Sequence, residues 1–274
     1  MKIAFQGESG AYSEEAIIAY LGESVEPVPR PYLKDVFDTV EAGEADAGLV
    51  PVENSIEGSI VRTYDLLNER TLKAGGESVH RIVHCLISNH GVKLEDVKKV
   101  YSHPQALGQS RKFLEKHNMD AIPSYDTAGS VKMIKSLGVI DSAAIASGRA
   151  AEVYDMNILK RGIETHAENY TRFLLVKPED HEATDNDKTS IAFTVDHKPG
   201  SLYQALHTFS ENQINLTKIE SRPLVGTPWE YIFFIDFVGH RNDSNIKEAI
   251  EGLSKNTRSI KILGSYPKAS LPCS

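Results

Sequence analysis

The chain has 274 residues, 41% of them hydrophobic and 25% charged, with a formal net charge of −8 at pH 7. That composition fits two packed domains, or one domain and a smaller module, and excludes wholesale disorder. The acidic balance without a dense basic patch argues against nucleic acid as a partner, and no run approaches a membrane span in length.

Taken in chain order, residues 3–5 read as a strand, followed by a glycine-bearing loop, 7–10, and a helix over 13–21. Ser13 is a plausible N-cap of that helix, and Glu14 and Glu15 suit its positive end. Val36, Phe37 and Val40 give the next helix its apolar stripe. Residues 47–50 form a short buried strand, and Leu66 and Leu67 mark a helix starting near Ile60. Residues 78–88 give the clearest long strand, covered on both faces. A strand over 97–101 precedes a helix over 104–117, with Pro104 at a first helical position. Residues 121–122 continue the pattern, then a helix over 127–137, a strand over 143–146, and a helix over 148–154 capped by Ser147. This alternation predicts α/β architecture with largely parallel sheets.

The polar stretch 178–188 reads as a linker. Beyond it the order changes to strand 189–195, helix 201–211, strands 214–220 and 229–238, helix 244–253 and strand 259–263. That βαββαβ order is ferredoxin-like, an α+β module. Cys85 lies in an apolar run and Cys273 one residue from the end, so no structural disulfide is expected. The N-terminal run Met1-Lys2-Ile3-Ala4-Phe5 has no signal-peptide core, which predicts a cytoplasmic protein.

Four loops follow predicted strands and lead into helices: Gly7-Glu8-Ser9-Gly10-Ala11-Tyr12-Ser13, Glu53-Asn54-Ser55-Ile56-Glu57-Gly58-Ser59, Ser102-His103-Pro104-Gln105 and Asp126-Thr127-Ala128-Gly129-Ser130. In open α/β sheets ligands bind at that edge, and helix N-termini can hold a carboxylate or phosphate. For any one loop, with Ser13, Ser59 or Ser130 as a cap, capping is the commoner use. Four together favour a pocket for a small anion. The full Gly-x-Gly-x-x-Gly and Walker spacings are missing, so no nucleotide cofactor is expected. No metal is expected either. His80 and His84 fall in a predicted strand with no completing ligands, and read as structural or surface residues.

In Asn169-Tyr170-Thr171-Arg172-Phe173 a hydroxyl and a guanidinium stand side by side where a polar loop enters a strand over 173–176. On a strand, neighbouring side chains point to opposite faces, so the two share a ligand only at a strand end or an irregular segment. Chemistry alone does not choose between a site and an ordinary strand.

These motifs, with Pro51-Val52-Glu53-Asn54-Ser55-Ile56-Glu57-Gly58-Ser59 and Ser102-His103-Pro104-Gln105-Ala106-Leu107-Gly108-Gln109, together resemble prephenate dehydratase in order and spacing over nearly the whole chain. The C-terminal part resembles the ACT regulatory domain fused to that enzyme, through Pro199-Gly200-Ser201-Leu202 and Asn215-Leu216-Thr217-Lys218-Ile219-Glu220-Ser221-Arg222-Pro223. Ser201 and Tyr203 depart from the usual Gly-Ala-Leu-Val form.

The resemblance implies a two-lobed catalytic region over 1–177, like a type II periplasmic-binding fold. Lobe one would cover about 1–75 plus 165–177 and lobe two about 76–164, with an ACT domain over 188–267. The double crossing between lobes would put Thr171 and Arg172 where both lobes can be reached. It implies that prephenate loses carbon dioxide and its hydroxyl to give phenylpyruvate, without a cofactor. Thr171 would assist the departing hydroxyl and Arg172 would bind a carboxylate. Asn54, Ser55, Ser102, Gln109 and Thr127 would hold the substrate, with Glu53, Glu57 and His103 as candidate relays.

It further implies that phenylalanine is an allosteric effector, bound between ACT domains of a homodimer or homotetramer. The effector residues would be Pro199, Gly200, Ser201 and Leu202 of one chain and Asn215, Leu216 and Glu220 of another. Two rivals remain: arogenate dehydratase, the same elimination on the amino-acid analogue, and a non-enzymatic sensor of a small anion.

Overall fold

The computed structural model describes residues 1–224 and 226–270; Cys273 lies outside the described residues. The elements run β1 (Lys2–Gln6), α1 (Tyr12–Leu21), β2 (Glu26–Arg30), α2 (Leu33–Glu41), β3 (Ala47–Asn54), β4 (Gly58–Ser59), α3 (Val61–Glu69), β5 (Lys73–Arg81) and β6 (Cys85–Ser88). They continue with β7 (Lys99–Ser102), α4 (Pro104–Gln109), α5 (Arg111–Lys116), β8 (Asp120–Pro123), α6 (Thr127–Leu137), β9 (Ser142–Ala146), α7 (Gly148–Val153), β10 (Asn157–Arg161) and β11 (Tyr170–Lys177). Last come β12 (Asp187–Thr194), α8 (Ser201–Glu211), β13 (Leu216–Pro223), β14 (Tyr231–Val238), α9 (Ser244–Lys255) and β15 (Ser259–Pro267).

Three sheets result. The first has the order β2-β1-β3-β11-β5, with β4 on β3; the second β10-β6-β9-β7-β8; the third β13-β14-β12-β15. The first two are α/β sheets: β1 runs parallel to β2 and β3, and β7 parallel to β8 and β9, but β6 runs antiparallel to both β9 and β10, so the second sheet is mixed and not largely parallel as expected. The third is antiparallel, in the expected βαββαβ order. The chain leaves the first sheet after β5, builds the second, and returns as β11, which is the double crossing expected of the two-lobed type II arrangement.

By contacts the chain forms two compact units. One holds Met1–Gly58 and Val79–Phe173; the other holds Ser59–Ser78 and residues 174–270. In the first unit Ile3, Ala4 and Phe5 are fully buried, as parallel strands covered on both faces must be. The second sheet packs Leu86, Val100, Leu107, Leu114, Ala143 and Ile145 into one cluster. The loop after β1 comes hard against α7. A Cβ on Gly10, whose φ is +85°, would stand 2.6 Å from Ala150 Cα, so no larger residue fits.

In the second unit, Ile191, Phe193, Phe209, Ile235, Phe237 and Leu253 form the core under the antiparallel sheet. Residues 59–78 join that unit through α3. Lys261 Nζ donates to the α3 C-terminal carbonyls of Leu67, Asn68 and Arg70 at 3.0, 2.5 and 2.7 Å, where a helix favours a cation.

Several expectations need correction. Helix α1 begins at Tyr12 after Ala11, so Ser13 is not its cap. Nor do Ser59 and Ser130 cap helices. Ile60 precedes α3, and Asp126 caps α6 by accepting from Ala128 N at 2.9 Å. Ser147 does cap α7, accepting from Ala150 N at 3.1 Å. The long strand expected over 78–88 is two strands, β5 and β6, in different sheets. Apolar residues continue through the break because the crossing is itself buried: Ile82 and His84 are 6% and 2% exposed. The helix expected over 104–117 is likewise two, α4 and α5, meeting at Ser110. Strand β2 escaped notice because Pro27 and Pro29 disguise a strand that sits at a sheet edge, where proline is tolerated.

Candidate active site

The polar centre of the first unit is built where β3 ends and β11 begins. Asn54, the last residue of β3, is 6% exposed, and its Oδ1 accepts from the backbone N–H groups of Ile56 and Glu57 at 3.0 Å each. Those two bonds orient the amide, so its Nδ2 must donate on the other side. It donates to Asn169 Oδ1 at 2.9 Å, Thr171 Oγ1 at 3.0 Å and Tyr170 O at 3.2 Å. Ser55 holds the same junction: its Oγ donates to Glu168 O and accepts from Tyr170 N, both at 2.9 Å.

The cluster continues toward α4. Asn169 Nδ2 donates to Gln109 Oε1 at 2.9 Å, and His84 Nε2 lies 2.8 Å from the same oxygen. Gln109 Nε2 faces Glu57 Oε1 at 3.4 Å. His84 Nδ1 meets Tyr12 Oη at 2.5 Å. Burial pushes the His84 pKa down and the Tyr12 pKa well up, so the pair is neutral at physiological pH.

Thr171 and Arg172 are the second and third residues of β11, not residues of the loop before it, and so stand at the strand end where neighbouring side chains can still share a ligand. Thr171 is nearly buried beside Asn54. Arg172 Nε lies 3.9 Å from Glu53 Oε2, the neighbour of Asn54 on β3.

Other expected residues sit elsewhere. Ser102 is fully buried, its Oγ donating to Ile145 O at 2.6 Å within the second sheet. Thr127 opens α6, with Oγ1 3.4 Å from Asp126 Oδ1. His103 caps α4, accepting from Gln105 N at 3.3 Å. The structure thus joins Asn54, Ser55, Thr171 and Gln109 in one hydrogen-bonded group; Ser102 and Thr127 bond outside it.

Sequence reasoning passed over Tyr12, His84 and Asn169 as site residues. Tyr12 and Asn169 stood inside the quoted motifs without a role. The signal at His84 was a lone polar residue in the apolar run Ile82-Val83-His84-Cys85-Leu86-Ile87, because a buried imidazole must find partners.

In the second unit, Gly200 takes φ +87° just before α8, and Ser201 and Leu202 open that helix. These two line a pocket with Val195, Asp196, His197 and Tyr231. Leu216 packs against the sheet core, and Asn215 O accepts from Val238 N at 3.0 Å. Glu220 Oε2 accepts from Ser59 Oγ at 2.7 Å.

Neutral amides, an imidazole and hydroxyls thus gather around one threonine on a two-sheet α/β frame. The chain belongs to the prephenate dehydratase family. Residues 3–181 match the family model for prephenate dehydratase, and residues 189–254 match that for the ACT domain. A bifunctional chorismate mutase/prephenate dehydratase of Aquifex aeolicus is 41% identical over 272 residues, covering 99% of this chain and 75% of that protein. Two solved structures each superpose on 98% of this chain. A prephenate dehydratase from Arthrobacter aurescens in complex with L-Phe has a TM-score of 0.90 at 32% identity over 90% of its length. GqqA, described as a novel type of quorum quenching acylase, has a TM-score of 0.91 at 31% identity over 98% of its length.

Proposed function

We propose that this chain converts prephenate to phenylpyruvate, carbon dioxide and water, and that phenylalanine binding to its ACT domain lowers the rate. The observation that carries the catalytic part is the locked amide of Asn54. Because Asn54 Nδ2 donates to Thr171 Oγ1, the Thr171 proton is left to point at a ligand. A departing ring hydroxyl needs such a donor.

In the reaction the electron pair of the ring–carboxylate bond enters the ring as carbon dioxide leaves, and the ring hydroxyl departs with its own pair. One proton taken up from solvent completes the water. Aromatisation supplies the driving force, so the protein has to position the substrate and stabilise the leaving oxygen. A threonine hydroxyl is too weak an acid to transfer its proton outright; Thr171 acts by hydrogen bonding as charge grows on that oxygen. The second Nε2 proton of Gln109 serves a substrate oxygen. Arg172 is assigned to a carboxylate, for which its planar fork suits two parallel bonds. Thr127 is assigned to the opposing wall; Ser102, fully buried with its proton held by Ile145 O, is left to support that wall from behind.

Arogenate differs from prephenate by an ammonium in place of the keto group, and the two are separated by relative rates. Neither Cys85 nor Ser102 supports an acylase reading. Burial pushes the Cys85 thiol up to about 11, and the Ser102 hydroxyl is spent on a carbonyl.

For the ACT domain, the pocket beside Ser201 and Leu202 is assigned to phenylalanine, together with Pro199, Gly200, Asn215, Leu216 and Glu220. A homodimer or homotetramer follows from pairing of β13, which lies at the edge of its sheet with one row of backbone groups unmatched. We assign the protein to the cytoplasm, where the buried Cys85 stays reduced. The test is to mix the protein with prephenate, without added metal or nucleotide, and follow phenylpyruvate absorbance in alkali, with and without phenylalanine. No product from prephenate or arogenate would remove the enzymatic reading. Product formation indifferent to phenylalanine would remove the regulatory one.

A further inference from the structure

We infer that His84, held by Tyr12, is a positioning residue that keeps the Gln109 amide turned with its nitrogen toward Glu57 and the substrate, one N–H for each. This rests on the dehydratase reading above and assigns one more residue to that site.

Two backbone N–H groups settle which end of the Asn54 amide is oxygen. Its nitrogen therefore donates to Asn169, whose own nitrogen must then donate to Gln109 Oε1. That oxygen is also 2.8 Å from His84 Nε2, which has to carry a proton, since two acceptors cannot face each other. A neutral imidazole has one N–H, so Nδ1 is left as an acceptor, and the Tyr12 hydroxyl donates to it. Every member of the row then has one possible orientation.

The row has two ends, and His84 is the distal clamp. If the clamp were an acceptor, Gln109 would gain by rotating its amide half a turn. Its oxygen would then face the substrate and its nitrogen would confront Asn169 Nδ2. A carbonyl oxygen turned toward a dianion repels it, so the orientation matters to binding. Burial supports the neutral form on which the row depends. The backbone that carries the imidazole is fixed as well. His84 N donates to Glu164 Oε2 at 2.9 Å, and Gly162 N and Ile163 N both donate to its carbonyl. The titratable groups around the row are Tyr12 and Glu15 from α1, Cys85 next in the chain, Glu164 from the segment after β10, and Glu57 beyond Gln109.

Two near-isosteric substitutions with opposite hydrogen-bonding sense separate this role from simple packing. His84→Gln can still present an N–H to Gln109 Oε1. His84→Glu presents a donor only while protonated. We expect His84→Leu to raise KM and lower kcat about tenfold each, and His84→Gln to recover most of that loss. His84→Glu should gain a pH dependence that parent and His84→Gln lack, with kcat/KM falling as pH rises and its carboxyl ionises. Equal losses in all three variants, tracking their melting temperatures, would reduce His84 to a packing residue. Nitrogen-15 NMR of the free parent protein gives a readout that needs no activity. The His84 ring should be the Nε2–H tautomer, and an Nδ1–H tautomer overturns the inference whatever the substrate. A parent inactive on prephenate but with the Nε2–H tautomer would fail the dehydratase reading and leave the row of donors intact.

Discussion

Each compact unit buries a polar network, and the two are built from different chemistry. Around Thr171 the buried groups are neutral: Asn54, Asn169, Gln109 and His84 pass hydrogen bonds along a row. Beneath the antiparallel sheet they are charged. Lys188 Nζ meets Glu77 Oε1 at 2.9 Å with both side chains almost enclosed, and Asp236 accepts from Ser190 Oγ at 2.6 Å. The difference teaches what each network is for. Under the proposed function, the neutral groups offer an incoming dianion donors of fixed direction. Paired charges have no counterion left to seek and serve the fold of their own unit.

The comparison breaks most visibly at its extremes. Thr171→Ala should lower kcat by roughly 10²-fold or more while KM changes little, as expected for losing a contact made chiefly in the transition state. Steady-state rates on prephenate check this, and near-normal turnover takes Thr171 out of the mechanism. Glu77→Ala should lower unfolding free energy by about 3–5 kcal/mol, because Lys188 is left buried and unpaired. Denaturant melts measure it, and a loss under ~1 kcal/mol would mean the pair is better solvated than its burial implies.

Smaller effects sharpen the contrast. Arg172→Lys should raise KM roughly tenfold, a point charge being unable to replace a bidentate fork. An unchanged KM would leave Arg172 to its neighbour Glu53. Tyr12→Phe should lower stability by about 1 kcal/mol through the unsatisfied His84 Nδ1. The neutral network also carries an acid signature. The folded pKa of His84 is depressed by burial, so the unfolded chain takes up its proton first. Its contribution is fully present above about pH 6.5 and is lost as pH falls toward the folded pKa. Melts between pH 7 and 5 should show that loss, and His84→Gln should flatten it; an equal slope in both proteins would place the acid sensitivity elsewhere.

Much of the frame was legible beforehand. Helices over 127–137 and 201–211 fall where the alternation of strand and helix patterns put them, and the βαββαβ order of the C-terminal module was readable from strand and helix periods alone. The site was legible only in part. Asn54, Thr171 and Gln109 stood in the quoted motifs, but 55 residues separate Asn54 from Gln109 along the chain and 62 more separate Gln109 from Thr171. The break at residues 82–84 was invisible because a buried crossing keeps the apolar composition of a strand. Thr171 and Arg172 looked like loop residues because the polar run 164–169 directly precedes them.

Local pattern determined the elements, the change of architecture after the linker, and the small polar residues at strand ends, because hydrophobic period and capping act over a few residues. Only the tertiary structure decided that Arg172 turns toward Glu53 while Thr171 turns toward Asn54, and that a histidine from the crossing and a tyrosine from the first helix complete the row. Those outcomes depend on which strands become neighbours and on one backbone turn orienting one amide. Hydrogen-bond direction of that kind is set by contacts between distant segments, and the order of residues along the chain does not carry it.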